Sequence, residues 1–411
     1  MTLIFTHAYN NLKDFCDGII FKQGGLAVIY LDYAASTPMC DEALNMYNAL
    51  NKEMFGNASS LHDAGGQAAY ALDYSRQRIA NMIGGQKEGV YFTTGGTESN
   101  MLLVQSILNG LPQHKKHWIM SALEHQSMYN LATLLERQGY ELTIVQPDKD
   151  GRITGEALLP HLRENTGLVS VQHANSETGL IQDLAALSPL LRDRGILLHS
   201  DAVQTFGNIP VDVTAMGIDA LSVSSHKVYG PKGVGAAYLK PGTPWRPVYP
   251  DTLHENGFRP GTVNVPGIAA FVAAAEWMTE QMELHQQRYA MLRQYFMTQV
   301  QNKSIPLRWV VQESGTEAVL GHIVGCFFHG YEGQYVMLEC NRGGVCISTG
   351  SACAAGHHEP SPALQALGAS DREALQFIRI SFGRTTTIED LNVLVDILAD
   401  LAHRQERSLS H

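Results

Sequence analysis

Two ionisable residues stand where the loops of an α/β sheet usually carry chemistry. Asp201 follows the apolar run GILLH, and Lys227 ends SSHK after ALSVS, about one strand-and-helix unit further along. Either residue alone is most simply a surface charge or a helix cap. Together, and with YGPKGVG after the lysine, they suit pyridoxal 5′-phosphate (PLP). The lysine would form a Schiff base, and the carboxylate would pair with the ring nitrogen.

Three other polar clusters follow β-like runs and could meet at the same site. In TTGGTESN, Gly96 and Thr97 stand where a strand turns into a helix, which favours a phosphate, although GGT is also typical of a simple turn. His125 in LEHQS could stack on the ring and move protons, whereas a lone histidine is more often a hydrogen-bonded core residue. Asn175 and Gln204 are candidate donors to the phenolic oxygen of the ring.

Cys353 lies in STGSACAAG, a composition that offers little for a core and permits an exposed loop. Cys326 in VGCFF has apolar neighbours and is assigned to packing. We therefore expect Cys353 to be the reactive thiol. The alternative is a metal site made of Cys326, Cys340, Cys346 and Cys353. Their spacing matches no usual ligand pattern, so no metal is expected.

Arg379 lies in the β-like run FIRISF, where it alternates with apolar residues and should point to the opposite face from them. A guanidinium held there suits bidentate binding of a substrate carboxylate. An ordinary surface arginine is the alternative interpretation.

The elements around these residues predict an α/β fold. Seven β-like runs alternate with amphipathic stretches, which indicates a mostly parallel, seven-stranded sheet covered by helices. They are GVYFTTGG, HWIMSALEH, LTIVQPD, GLVSVQHANS, GILLHSDAVQ, DALSVSSHK and GAAYLK. We assign residues 43–285 to this large cofactor-binding domain. Residues 286–411 form a smaller α+β domain with the cysteine loop, which residues 1–42 join.

Residues 1–27 precede the recognisable pattern, which begins with IYLDYAAST at Ile29. One hypothesis is a non-native extension, because Gln23-Gly24-Gly25 can be encoded by a purine-rich ribosome-binding sequence and Val28 by an alternative start codon. The other is a native extension that packs on the small domain.

Composition narrows the class of protein. The net charge is −11, and no basic run appears, which disfavours nucleic-acid binding. No apolar span is long enough to cross a bilayer, so no membrane association is expected. The six cysteines show no CxxC pair, which is typical of reduced thiols. We expect a cytoplasmic protein.

The motifs quoted above, with FRPGTVNVPG, STGSAC and IRISFGR, resemble the NifS/IscS cysteine desulfurases, class V PLP enzymes of the aminotransferase type. The resemblance extends from Ile29 almost to the C-terminus and is closest to Bacillus-type NifS. It implies PLP-dependent transferase fold type I.

The resemblance also implies roles for individual residues. Lys227 would hold the cofactor, Asp201 and His125 would lie around its ring, and Asn175 and Gln204 would contact it. Thr97, Ser224 and His226 would lie around the phosphate. Thr262 in RPGT would reach the phosphate of a neighbouring protomer, so a homodimer is implied.

By the same resemblance, the chain would convert L-cysteine to L-alanine. Cys353 would take the sulfur as a persulfide, and Arg379 would anchor the substrate carboxylate. The sulfur acceptor would be an iron–sulfur scaffold or a dedicated recipient such as quinolinate synthase. His357 and His358 depart from the small or apolar residues usual after the cysteine, in the loop that meets the acceptor.

Two other functions stay open at this point. A selenocysteine lyase or another class V PLP enzyme would share Lys227 and Asp201, but an aminotransferase has no need of Cys353. A non-catalytic sulfur-trafficking scaffold would need neither Lys227 nor Arg379.

Overall fold

The computed structural model describes residues 28–311, 319–350 and 360–409. The described chain enters with a short strand, β1 (Ile29–Tyr30), which lies outside the main sheet. No helix within these residues is long and apolar enough to span a membrane.

Seven strands form the main sheet. They are β2 (Val90–Thr93), β3 (His117–Ser121), β4 (Glu141–Val145), β5 (Thr166–Ser170), β6 (Leu197–Asp201), β7 (Ala220–Ser224) and β8 (Gly235–Leu239). Their order across the sheet is β2-β8-β7-β6-β5-β3-β4. β8 is antiparallel to both neighbours, and the other pairs are parallel. Each strand matches one of the seven predicted runs, with β4 and β5 beginning one residue earlier, so the predicted sheet is confirmed.

Helices cover both faces of this sheet. They are α1 (Asp41–Glu53), α2 (Asp63–Met82), α3 (Gly96–Gly110), α4 (Gln126–Arg137), α5 (Gly155–Leu158), α6 (Leu184–Arg192) and α7 (Val265–Glu280). Neighbouring strand residues pack on opposite faces: Leu168 joins one apolar cluster and Val169 the other. Buried side chains of this size each contribute about 1.5–3 kcal/mol.

The segment ALLPHLREN carries apolar residues at helical spacing and predicts a crossover helix, and this prediction is wrong in extent. The α-helix ends at Leu158 after four residues, and a 3-10 turn, Leu159–His161, follows. Pro160 accounts for the change, because its ring offers no N–H and crowds the preceding turn. The segment AALSPLLRDRG has the same apolar spacing, and the crossover helix that it predicts forms as α6.

The C-terminal part builds a second, smaller set of elements. They are α8 (Met282–Asn302), β9 (Leu307–Trp309), β10 (Ile323–Phe328), α9 (Gly333–Arg342), β11 (Val345–Cys346), α10 (Pro362–Ala366), α11 (Asp371–Ala374), β12 (Phe377–Ser381) and α12 (Ile388–Leu409). An antiparallel sheet has the order β12-β10-β9, and β1 pairs in parallel with β11. Leu31 belongs to the separate apolar cluster around this sheet. The domain boundaries at 42/43 and 285/286 stay a prediction.

Strand β8 packs closely against the turn that follows β2. A Cβ atom on Gly235 would lie 2.6 Å from Gly95 Cα and 2.8 Å from the carbonyl oxygen of Val223. Backbone atoms on both sides leave no flexible group to yield. A glycine is therefore required for β8 to approach the turn this closely.

Gly235→Ala should lower the free energy of unfolding by about 1–3 kcal/mol, because overpacking must displace backbone. The matched control is Gly66→Ala in α2, where a Cβ meets no atom within 4 Å. Urea unfolding of both variants measures the effect. Equal unfolding midpoints in the two variants would contradict this packing argument.

A second prediction concerns His199 in β6, which is fully buried. Its ring nitrogens lie 3.2 and 3.4 Å from the hydroxyls of Ser170 and Ser222. Burial lowers the pKa of His199 to about 3. Below about pH 6.5, the ordinary pKa of histidine, His199 therefore binds a proton in the unfolded chain but not in the folded chain. The free energy of unfolding falls as the pH drops from about 6.5 towards about 3.

From pH 7.5 to pH 5, the free energy of unfolding should fall by about 2 kcal/mol more in the parent than in His199→Gln, because glutamine takes up no proton in the unfolded chain. Urea unfolding at the two pH values measures this difference. His114→Gln, at an exposed position, is the control. A pH dependence as steep in His199→Gln as in the parent would sink the idea.

Candidate active site

The candidate residues gather at one edge of the main sheet. Asp201 ends β6, Lys227 closes the 3-10 turn after β7, and His125 precedes α4 after β3. Parallel strands bring their carboxyl ends to the same edge, so these residues become neighbours. Asp201 and Lys227 both act electrostatically on His125.

The carboxylate of Asp201 is buried, with 3% of the residue exposed. Oδ1 accepts the N–H of Val203 at 2.9 Å, and Oδ2 accepts Nδ2 of Asn100 at 2.7 Å. Two donors fix the orientation of the carboxylate and compensate for its burial.

His125 is the N-terminal cap of α4. Its Nδ1 accepts the backbone N–H of Ser127 at 3.2 Å. Burial lowers the pKa of His125 and Lys227 lowers it further, although Asp201 acts in the opposite direction. The ring is therefore neutral near pH 7, and its proton lies on Nε2.

Lys227 is half-buried, and its ammonium group donates to the carbonyl oxygens of Ala34 and Ala35, the latter at 3.0 Å. Nε2 of Gln204 donates to the same Ala34 oxygen at 3.1 Å. The segment that follows β1 thus contacts the lysine directly.

The turn after β2 combines glycines with an unsatisfied hydroxyl. Gly95 has φ +149°, which favours glycine, and a Cβ on Gly96 would lie 2.5 Å from the side chain of Val203. Oγ of Ser224 is buried without a hydrogen-bond partner in the described part of the chain. It lies 3.6 Å from the position of a Cβ on Gly95. Thr97, in the first turn of α3, is exposed. This edge offers donors to an anion.

His226 lies beside this edge. Its Nδ1 is 3.3 Å from Oγ of Ser36. Burial, with help from Lys227 and Lys232, lowers the pKa of His226 to about 4, so its ring is also neutral near pH 7.

Arg379 is 1% exposed, which excludes the surface interpretation. Its Nη2 lies 2.7 Å from Oδ1 of Asp32, and Nη1 donates to the carbonyl oxygen of Ser176 at 3.0 Å. Nε has no partner among the described residues. Asn175, next to Ser176, is buried and donates to the carbonyl oxygen of Leu123 at 3.1 Å. Arg379 is thereby joined to the loop that carries His125.

One described candidate does not join this cluster, and a second candidate lies outside the described residues. Thr262 is exposed in the segment before α7, and none of the described hydrogen bonds connects it to the cluster. Cys353 lies outside the described residues. The described chain resumes at residue 360. The hydroxyl of Ser361 donates to Oε2 of Glu177 at 2.6 Å. Glu177 is two residues from Asn175.

Sequence reasoning missed several contributors. Asn100 stands one helical turn after Gly96 in TTGGTESN, and this spacing could have placed it under the turn. Residues Ala34–Thr37 of the YAAST motif were assigned no role. Glu124 is buried, and burial and the nearby Asp201 raise its pKa well above the usual range. No pattern in the sequence signalled that.

Comparison with known proteins identifies the family. The Aminotransferase class-V model matches residues 29–394. A Bacillus subtilis (strain 168) protein named cysteine desulfurase NifS is 60% identical over 368 residues, which cover 90% of this chain and 93% of the relative. A Dictyoglomus turgidum protein named cysteine desulfurase IscS is 38% identical over 370 residues, covering 90% and 93%.

A solved structure of a NifS-like protein agrees in fold. Its TM-score is 0.85 at 27% identity, and the match covers 92% of this chain and 100% of that one. The predicted PLP-dependent fold type I, with its mostly parallel seven-stranded sheet, is confirmed. So is the resemblance to NifS and IscS proteins. The chain belongs to the class-V aminotransferase family, among its NifS- and IscS-type members.

Proposed function

We propose that this chain is a PLP-dependent cysteine desulfurase that converts L-cysteine to L-alanine and takes the sulfur onto Cys353 as a persulfide. The observation that carries the proposal is the assembly of Asp201, Lys227 and the unsatisfied Ser224 hydroxyl at one edge of the sheet. The relatives named cysteine desulfurase support the same activity.

The residues present fit PLP. Its ring nitrogen needs a fixed carboxylate, which Asp201 supplies, and its aldehyde needs an amine, which Lys227 supplies. The neutral ring of His125 suits a face of the cofactor. The remaining contacts that we propose are Gly96, Thr97, Ser224 and His226 for the phosphate, Asn175 and Gln204 for the phenolic oxygen, and Thr262 from a second protomer. PLP supplies an electron sink for negative charge at the substrate Cα.

The chain's own groups divide the remaining tasks. Asp201 holds a proton at the ring nitrogen, because Asn100 and Val203 keep its carboxylate in place. Lys227 holds the cofactor and moves protons at Nζ. His125 is neutral and can accept a proton near the substrate, since burial lowers its pKa.

Arg379 is the proposed anchor for the substrate carboxylate. Its guanidinium is held by Asp32 and by the carbonyl oxygen of Ser176, with Nε left as a donor. A substrate carboxylate bound here would share the guanidinium of Arg379 with the carboxylate of Asp32. Asn175 lies at the same loop and would orient the substrate from the other side.

Sulfur transfer requires a thiolate, and the four described cysteines are poor candidates. Burial raises the pKa of Cys40, Cys326, Cys340 and Cys346, in the case of Cys340 to about 12. Each is therefore a protonated thiol near pH 7. Cys353 remains the proposed nucleophile: its sulfur forms an S–S bond as the C–S bond of L-cysteine breaks, and alanine leaves after protonation.

We further propose a cytoplasmic homodimer that passes its persulfide sulfur to an iron–sulfur scaffold or to a dedicated recipient such as quinolinate synthase. Exposed aromatic and aliphatic side chains in and before α2 support a protein-covered surface there. They are Phe55, Leu61, Tyr70 and Tyr74.

The first prediction for this activity concerns Cys353. Purified protein supplied with L-cysteine and a reductant should release alanine and sulfide, and Cys353→Ala should keep the yellow cofactor but release no sulfide. Cys346→Ala, at a partly exposed cysteine of the described chain, is the control and should keep most of the activity. Equal sulfide release from Cys353→Ala and the parent would favour a lyase. A colourless, inactive parent would favour the scaffold function.

The second prediction concerns Lys227. Borohydride treatment of the yellow protein, followed by digestion and mass spectrometry, should find the pyridoxyl group on Lys227. Lys232, five residues later and more exposed, is the internal control and should stay unmodified. A pyridoxyl group spread over several lysines would remove Lys227 from its proposed role.

A further inference from the structure

The segment that leads to Thr262 is fastened along β2 and its turn. Phe258 is fully buried and stacks on Tyr91 of β2, with 4.4 Å between ring centroids. The carboxylate of Glu255 accepts the N–H of Phe92, the next residue of that strand, at 2.7 Å. The segment is therefore held against β2, the strand that leads into the proposed phosphate turn.

A buried ion pair holds the start of this segment. Nη1 and Nη2 of Arg76 each donate to Glu255 at 2.9 Å, and the side chain of Glu255 is 1% exposed. Glu255 and Asn256 have φ +46° and +53°, a region that costs energy for side chains larger than hydrogen. The ion pair and the stacked rings hold the backbone in this conformation, which directs Arg259 towards the turn.

Arg259 ends this series of contacts on Glu98, in the first turn of α3. Its Nε lies 2.8 Å from Oε2 of Glu98, and the two side chains are 18% and 31% exposed. The same oxygen accepts the N–H of Thr94 at 2.6 Å and its hydroxyl at 3.0 Å. Glu98 thus joins Arg259 to the turn itself.

The charge of Glu98 poses a difficulty for the proposed site. A carboxylate in the first turn of a helix satisfies the helix dipole, but it also repels any other anion bound at that end. The cofactor phosphate would be a second anion at the start of α3. A guanidinium on Glu98 removes most of that repulsion.

We infer that Arg259 is a positioning residue for the cofactor phosphate: it neutralises Glu98 and holds the Thr94–Gly96 turn for the anion. The inference rests on the proposed function, because it requires PLP at this edge of the sheet. It deepens that function by assigning phosphate affinity to a residue that stands three positions before Thr262, on the segment fastened along β2.

The test compares two probes, PLP and pyridoxal, which lacks the phosphate. Cofactor-free full-length protein is titrated with each, and dissociation constants are read from absorbance. In Arg259→Gln, PLP should bind about tenfold more weakly, while pyridoxal binding changes by less than about twofold, since only the phosphate meets the uncovered charge.

The double variant Glu98→Gln/Arg259→Gln separates charge from structure. It should recover most of the lost PLP affinity, because the uncompensated carboxylate is gone. Arg259→Lys keeps the positive charge, so its dissociation constant for PLP should stay near that of the parent. This variant still tests the charge if Arg259→Gln folds poorly. The matched control is Glu141→Gln, which breaks an arginine pair with Arg163 at the far edge of the same sheet; it should alter neither constant.

Two outcomes would overturn the inference while leaving the proposed function intact: equal losses of PLP and pyridoxal binding in Arg259→Gln, or no recovery in the double variant. Either would assign Arg259 a structural role only. If the parent binds PLP no better than pyridoxal, the phosphate site of the proposed function fails, and the inference fails with it.

Discussion

The buried carboxylate of Asp201 is the interaction on which the site depends. An anion with 3% exposure is costly unless it is fully hydrogen-bonded, and its partners here are Asn100 and the N–H of Val203. Asn100 lies on α3, so that helix must pack with its first turns over the end of β6. This packing also brings the glycine turn at the start of α3 beside Ser224. The proposed phosphate contacts and the proposed ring-nitrogen contact therefore both depend on how α3 packs against the sheet.

Polar contacts join the smaller set of elements to this edge. Asp32, after β1, pairs with Nη2 of Arg379 on β12, and the carbonyl oxygen of Ser176 accepts a hydrogen bond from Nη1. Two residues after Asp32, the carbonyl oxygen of Ala34 accepts a hydrogen bond from Nζ of Lys227. One short stretch after β1 therefore contacts both the proposed cofactor lysine and the proposed substrate anchor. A change in that stretch should disturb both groups together.

Much of the fold could be predicted from the sequence, because strand periodicity and strand-ending polar residues are local signals. All seven strands of the main sheet match their predicted runs to within one residue. The short α5 is the exception, since Pro160 overrides an otherwise helical pattern. The surroundings of Arg379 were not predictable either: alternation in β12 placed it on the opposite face from its apolar neighbours, but did not indicate that all five strand residues are buried.

The sequence by itself determined the kinds of groups available, the strands that carry them and the family to which they belong. Only the tertiary structure decided which buried polar group meets which partner. Asn100 with Asp201, Arg379 with Asp32, and Arg259 with Glu98 are pairs of residues far apart in the chain. Periodicity and turn signals report the conformation of neighbouring residues. The pairing of distant charges is set by how helices and sheets pack, and by the need of each buried charge for a partner.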